Sequence, residues 1–266
     1  MSDSVSGPVE YELADGVASI TLARPEAMNA LDTATKDALK ARVLEAAADP
    51  AVRAVLLAGS GRAFCVGQDL REHVDALSAD PRATWQTVPE HYSPIVEALA
   101  TMPKPVVAAV NGVAAGAGAA FAWACDLRIM AASAGFNTAF AAIGLSCDSG
   151  SSWTLPRLVG WARAKELLLM PRTVKAEEAL ALGLATEVVP DDAVLSRARE
   201  VAVQLAAGPT VAYGAIRRSL EFSAGHDLHD SLDVEGEMMA LTGTTADHLA
   251  AVAAFNAKQK PVFEGR

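Results

Sequence analysis

An α/β core followed by a helical C-terminal region is the fold class this sequence predicts, and three features carry the prediction. A hairpin opens the chain, apolar strands then alternate with small-residue helices, and strand-like runs disappear after about residue 193. Val9 to Leu13 and Val17 to Leu22 are β-type runs around Ala14-Asp15-Gly16, which reads as a three-residue turn. Asp32 or Thr33 caps a helix running to about Ala48, Asp49-Pro50 ends it, and Arg53 to Ala58 makes a compact buried strand. The pattern repeats with a strand at Val106 to Val110, a helix at Gly116 to Ala124, a strand at Leu127 to Ala131, and a helix from Ser149 to Val159 stopped at Gly160. Three helical stretches follow near 193–207, 210–223 and 227–256, the last broken around Gly243. The chain therefore divides near residue 200.

Composition narrows the function. The 266 residues are 52% hydrophobic and only 5% aromatic, so a large core must be built from small and aliphatic side chains. A net charge of −10 argues against nucleic acid or anionic membrane as partners and leaves room for a local basic site for phosphate. Cys65, Cys125 and Cys147 are odd in number and lack metal-ligand spacing, so neither a disulfide framework nor a metal site is expected, and a reducing cytoplasm fits best. The opening MSDSVSGPVEYEL has neither the basic head nor the apolar stretch of a secretory signal. Two uncharged windows, Pro105 to Cys125 and Ile129 to Cys147, are long enough to span a bilayer by count. Asn111, Gly112, Gly116 and Gly118 interrupt the first and Asn137 and Gly144 the second, so both read as buried strand and helix pieces.

Three segments have the makings of a site. Gly59 to Leu70 follows a strand and is punctuated by glycine, so it reads either as an ordinary loop or as one that turns tightly and exposes backbone N–H groups beside Gln68. Asn111 to Ala120 again follows a strand and leads into a helix whose first N–H groups are unpaired. It lacks the Gly-Lys-Ser/Thr ending of a phosphate loop and the third glycine of a dinucleotide fingerprint. In Ala142 to Arg157, Asp148 precedes a helix. It reads as an N-cap worth about 1 kcal/mol or, with Cys147 and Trp153 making its surroundings partly apolar, as a carboxylate of raised basicity suited to taking a proton.

These segments, in this order, resemble the crotonase superfamily, also called the enoyl-CoA hydratase/isomerase family. The likeness runs through Leu22–Leu31, Ala63–Leu70, Lys104–Gly112, Leu155–Gly160 and Ala179–Ala185 and covers almost the whole chain. It implies a spiral of ββα units over residues 1–200, a helical oligomerisation region over 201–266, assembly as a homotrimer or hexamer, and an acyl-CoA thioester as substrate. No cofactor is implied beyond the coenzyme A of that substrate. Carried onto this chain, the two backbone N–H groups that hold the thioester oxygen belong to Gln68 and Ala117, the alanine replacing the usual glycine. Arg24 and Ala27 resemble pantetheine and phosphate contacts, Ala63 and Val66 an adenine-side loop, and Phe255 and Lys258 a contribution from a neighbouring subunit. Asp69, Leu70, Leu145 and Trp153 complete the implied substrate-binding set. Arg24 and Lys258 also read as solvated surface charges.

The departures decide the expected reaction. Hydratases of this family use two glutamates, and the matching positions here are Ala120 and Phe140, neither of which can move a proton. The remaining carboxylate is Asp148. An acid at this turn resembles isomerases of epoxidised or ring-opened phenylacetyl-CoA and of enoyl-CoA, and also aroyl-CoA dehalogenases. Ile143 to Gly150, Trp153 and Gly243 to Asp247 look closest to the first group, so the expectation is an isomerase with Asp148 as its base. The dehalogenase or thioester-hydrolase alternative needs a histidine to activate water. His91 lies nearest in the family layout but reads as a surface residue, and His73, His226, His229 and His248 are assigned no chemistry. Trp85, Trp123 and Trp161 read as core. A hydratase, or a catalytically silent acyl-CoA-binding protein, completes the alternatives. The substrate pocket is expected to take its shape from about Val74 to Tyr92, the least family-like stretch.

Overall fold

A computed structural model describes residues 7–266. The opening read for a leader signal begins in residues 1–6, which lie outside the described residues. β1 (Val9–Ala14) and β2 (Val17–Leu22) form the expected hairpin, with Ala14 opposite Val17. That register leaves two residues in the turn, where three were expected, because Ala14 pairs as the last strand residue. Asp15 and Gly16 have φ of 55° and 74°, and positive φ at both central residues gives the turn whose twist matches paired strands. Asp32 accepts a hydrogen bond from the Thr35 N–H at 2.8 Å and caps α1 (Thr33–Ala48), which ends at Asp49 as read from the sequence.

Three units of like construction follow: β3 (Ala54–Gly59), β4 (Ala63–Cys65) and α2 (Leu70–Ala79); then, after α3 (Ser93–Thr101), β5 (Val106–Val110), β6 (Val113–Ala115) and α4 (Ala117–Ala124); then β7 (Leu127–Ala131), β8 (Gly135–Asn137) and α5 (Ser151–Val159). In each, the first strand joins a six-stranded sheet ordered β1-β2-β3-β5-β7-β10, and the short second strand joins a four-stranded sheet ordered β4-β6-β8-β9. α6 (Trp161–Leu169), β9 (Thr173–Lys175), α7 (Ala176–Ala181) and β10 (Glu187–Val189) close the two sheets. Strand pairs within them are parallel except β1–β2 and β8–β9. This is a ββα spiral, and because both sheets advance in parallel, every unit delivers its strand-to-helix junction to the same edge.

β3 and β5 are buried from Ala54 to Ala58 and throughout Val106 to Val110, as parallel strands covered on both faces must be. α8 (Val194–Ala206) lies on β3, β5 and β7 with Val194, Ala198, Ala202 and Ala206 buried at a spacing of four. The division expected at residue 200 falls inside this helix. The helices that leave the sheet are α9 (Thr210–Ser223), α10 (Leu228–Gly243) and α11 (Ala246–Asn256), and they expose Leu220, Leu228, Met239 and Leu249. Among the described residues no helix is long and apolar enough to cross a membrane.

Candidate active site

The first two strand-to-helix junctions touch. Gly67 has φ of +83°, and a Cβ placed on it would stand 2.9 Å from the Ala115 carbonyl oxygen and 3.5 Å from the Ala117 nitrogen. A Cβ on Gly118 would stand 2.2 Å from the Cys65 carbonyl oxygen, so the first turn of α4 lies directly on β4. Glycine is required at both places. On either side of Gln68, the Leu31 N–H donates to the Gly67 carbonyl at 2.8 Å and the Asp69 N–H to the Leu31 carbonyl at 3.1 Å. The Gln68 N–H between them has no acceptor among the described residues, and neither has the Ala117 N–H at the first position of α4. Ala117 is buried, its methyl group accommodated.

Both residues line a cavity of about 180 Å³ whose wall is otherwise mostly apolar, with Val66, Leu70, Phe140, Ile143 and Leu145 among its members. Asp148 is the one carboxylate on that wall among the described residues. It is half-buried, and burial pushes its carboxyl above the ordinary aspartate value although the Ser149 hydroxyl donates to it at 2.8 Å. It does not cap α5. Gly150 occupies the N-cap position without a side-chain bond, Ser149 and Gly150 both have positive φ, and the helix begins at Ser151, two residues later than read. Tyr92, also on the wall, donates to Gln68 Oε1 at 2.5 Å, and burial together with the nearby Asp148 charge pushes its phenol up, so it stays a donor.

Several implied contacts move. Trp153 is exposed, stacks under the Arg157 guanidinium at 4.1 Å, and lines a separate groove with Val96 and Phe222, not the cavity. The left-handed residues before α5 turn it away, so the apolar surroundings of Asp148 come from the cavity's aromatic and aliphatic members. Ala63 is buried in β4 and its carbonyl accepts from Asn29 Nδ2 at 2.8 Å. Asp69 caps α2 and pairs with Arg24. Burial alone would raise its carboxyl, but the Glu72 and Arg71 N–H groups and Arg24 hold it below the usual range. Arg24 is itself occupied by Asp32 at 3.0 Å, Asp69 at 3.3 Å and the Ala30 carbonyl at 2.7 Å. It does line a cleft next to the cavity together with Ala27, Arg62 and Arg71, and Leu70 borders both spaces. Arg62 and Arg71 make no ion pair among the described residues. Phe255 is exposed, and neither it nor Lys258 borders either space.

Of the tryptophans, Trp123 alone is core. Trp161 is exposed and Trp85 lines the cavity beside His73, their rings 5.3 Å apart edge to face. His73 is thus a site member to which the sequence assigned no chemistry, while Trp85, Thr87, Val88 and Tyr92 come from the stretch expected to shape the pocket. His91 is largely buried, its Nε2 3.2 Å from Asp37 and its Nδ1 3.2 Å from the Thr87 hydroxyl, and it does not line the cavity. Ala120 is fully buried, and Phe140 is part of the cavity wall. Among the described residues no three His, Cys, Asp or Glu side chains gather as metal ligands.

A family model described as enoyl-CoA hydratase/isomerase matches residues 12–266. A Rhodobacter capsulatus protein named "Probable enoyl-CoA hydratase" is 42% identical over 97% of this chain and 98% of its own. The 1,2-epoxyphenylacetyl-CoA isomerase of Escherichia coli is 40% identical over 94% of this chain and 96% of its own. The crystal structure of an enoyl-CoA hydratase/isomerase-type protein from Mycobacterium abscessus superimposes with a TM-score of 0.94 at 47% identity, covering 97% of this chain and 100% of that one.

Proposed function

The chain belongs to the enoyl-CoA hydratase/isomerase (crotonase) family, and from that premise we propose that it is an enoyl-CoA isomerase with Asp148 as its single proton carrier. The observation that carries this reading is one carboxylate of raised basicity in a mostly apolar cavity that also holds two unengaged backbone N–H groups. Ionised Asp148 takes a proton from the carbon next to the thioester carbonyl. The C–H electron pair moves into the conjugated system and charge accumulates on the thioester oxygen, where the Gln68 and Ala117 N–H groups receive it. Protonated Asp148 then returns the proton to the far end of the allylic system, and the double bond has moved. Each oxyanion donor contributes about 3 to 4 kcal/mol to such a step. Hydration would need a second acid or base, and Ala120 and Phe140 offer none.

Arg62 and Arg71 make no ion pair among the described residues and so are more available than Arg24 to a coenzyme A phosphate, in a cleft that Glu26, Asp32, Asp69, Glu72 and Asp75 also line, with Ala27, Val66 and Leu70 along its path. The proposed reaction needs no cofactor beyond the substrate's own coenzyme A. The exposed apolar residues of α9 to α11 support a homotrimer or hexamer, in which Phe255 and Lys258 would serve a neighbouring subunit. Free Cys65, Cys125 and Cys147 are consistent with a reducing cytoplasm. A second reading, Asp148 as nucleophile toward an aryl halide or thioester, draws on His73 sharing the cavity and able to activate water. Incubation with crotonyl-CoA and 3-hexenoyl-CoA, following hydration and double-bond migration separately, tests the proposal. Migration without hydration is expected, and rapid hydration overturns it.

A further inference from the structure

Lys36 stands where a lysine is not expected. It shares the inward stripe of α1 with Leu39, Val43 and Ala46, and only 3% of it is exposed. A buried ammonium is unfavourable unless its donors are met, and this one has three partners: Gln68 Oε1 at 3.3 Å, Glu72 Oε1 at 3.4 Å and the Thr87 hydroxyl at 3.0 Å. The same Gln68 oxygen receives the Tyr92 hydroxyl. Glu72 in turn accepts the Thr33 N–H at 2.8 Å. Further along α1, Asp37 meets His91, and Lys40 donates to the Glu90 carbonyl at 3.0 Å. The segment so held, Val88–Tyr92, is a π-helical turn, a rare geometry that is frequent at functional sites.

We propose that Lys36 is a positioning residue for the oxyanion hole. Its ammonium and the Tyr92 hydroxyl hold the Gln68 side chain between them and so fix the aim of the Gln68 N–H into the cavity. Through Glu72 and Thr87 the same ammonium joins the outer wall of the pocket to that donor, so a closed wall and an aimed donor form one arrangement. Lys36 does not line the cavity, and it reaches the donor through the Gln68 side chain. The inference rests on Gln68 as an oxyanion donor, and small misplacements of such a group are costly to the rate.

The test reads the thioester carbonyl directly. 4-(Dimethylamino)cinnamoyl-CoA bound to the wild-type protein should show a red-shifted absorption band as the two N–H groups polarise its carbonyl. In Lys36→Met the red shift should shrink and kcat on 3-hexenoyl-CoA fall about 10- to 100-fold with KM within about twofold, short of losing the donor outright. Lys36→Arg, which keeps the charge, should recover most of the shift. Gln68→Leu keeps the backbone N–H and removes the amide oxygen. It should reproduce the loss, and adding Lys36→Met to it should cost nothing more. Gln68→Leu decides the matter should Lys36→Met fail to fold. A wild-type shift and kcat in either folded variant overturns the proposal. No shift in the wild-type protein overturns the oxyanion assignment and this proposal with it, whereas a Lys36-dependent shift without isomerisation upholds it and overturns only the reaction.

Discussion

The two halves of the cavity are built differently. The half bearing Gln68 and Ala117 sits on buried strand-to-helix junctions, where a Cβ on Gly67 or Gly118 would fall 2.9 or 2.2 Å from a neighbouring carbonyl oxygen. The other half, residues 70–92, buries no residue of α2 and exposes Leu70, Val74 and Trp85. It is held to α1 by a handful of side-chain links centred on Lys36, Asp37 and Lys40. The Gln68 and Ala117 N–H groups therefore sit on packed backbone with no room for a Cβ at Gly67 or Gly118. The 70–92 wall, apart from buried Tyr92, rests mainly on side-chain links to α1.

The largest effect tests the carboxylate on the cavity wall, Asp148. Asp148→Asn should cut turnover about 10²- to 10⁴-fold while coenzyme A binding is kept. The raised pKa of Asp148 sets two signs. Activity should fall as pH drops through a value above the ordinary aspartate range, where the base becomes protonated. Since the folded state disfavours the ionised form, stability present at low pH is lost as pH rises through the unfolded value toward the raised folded one. The Asp148→Asn substitution removes that loss, so the variant should melt higher than wild type at pH 8, and the gap should close in acid. Thermal melts alongside a pH–rate profile check both.

Gly67→Ala probes the packed half. Positive φ and the clash with Ala115 should misaim the Gln68 N–H, lowering kcat about 10²- to 10³-fold and the melting temperature together. Wild-type kcat in this variant would break the comparison. The smallest effect belongs to the 70–92 wall. Trp85→Ala should leave stability within about 0.5 kcal/mol. It should shift the kcat/KM ratio between a phenyl-bearing and a linear enoyl-CoA by a few fold, about 1 kcal/mol of discrimination, and comparing the two substrates on one preparation measures it.

Long apolar runs and cap residues were legible because their signals are local. β5 and β7 lie at their expected bounds, and Asp32 caps α1 as read. The second sheet was not read, since strands of three residues such as Ala63–Cys65 and Val113–Ala115 are too short to show a period. The glycine-punctuated loops showed exposed N–H groups near Gln68 and at the start of α4, but only the family resemblance singled out Gln68 and Ala117, a backbone N–H having no residue type. Trp153 was misplaced because regular helical spacing was assumed across Ser149 and Gly150, whose left-handed backbone reorients the chain. The lysine in the stripe Lys36, Leu39, Val43, Ala46 was a readable anomaly, but nothing in the sequence names partners 32 to 51 residues away.

By itself the sequence determined the α/β alternation, the helical tail and the absence of acid groups at positions 120 and 140, because propensity, capping and side-chain chemistry act within a few residues. Only the tertiary structure decided that the Gln68 and Ala117 N–H groups share a cavity with Asp148. It also picked Trp85 and Tyr92 out of the 74–92 stretch expected to shape the pocket, added His73 and removed Trp153. That outcome depends on two sheets advancing in step and on ångström-scale contacts between junctions about 50 residues apart in a ββα spiral, which no local pattern encodes.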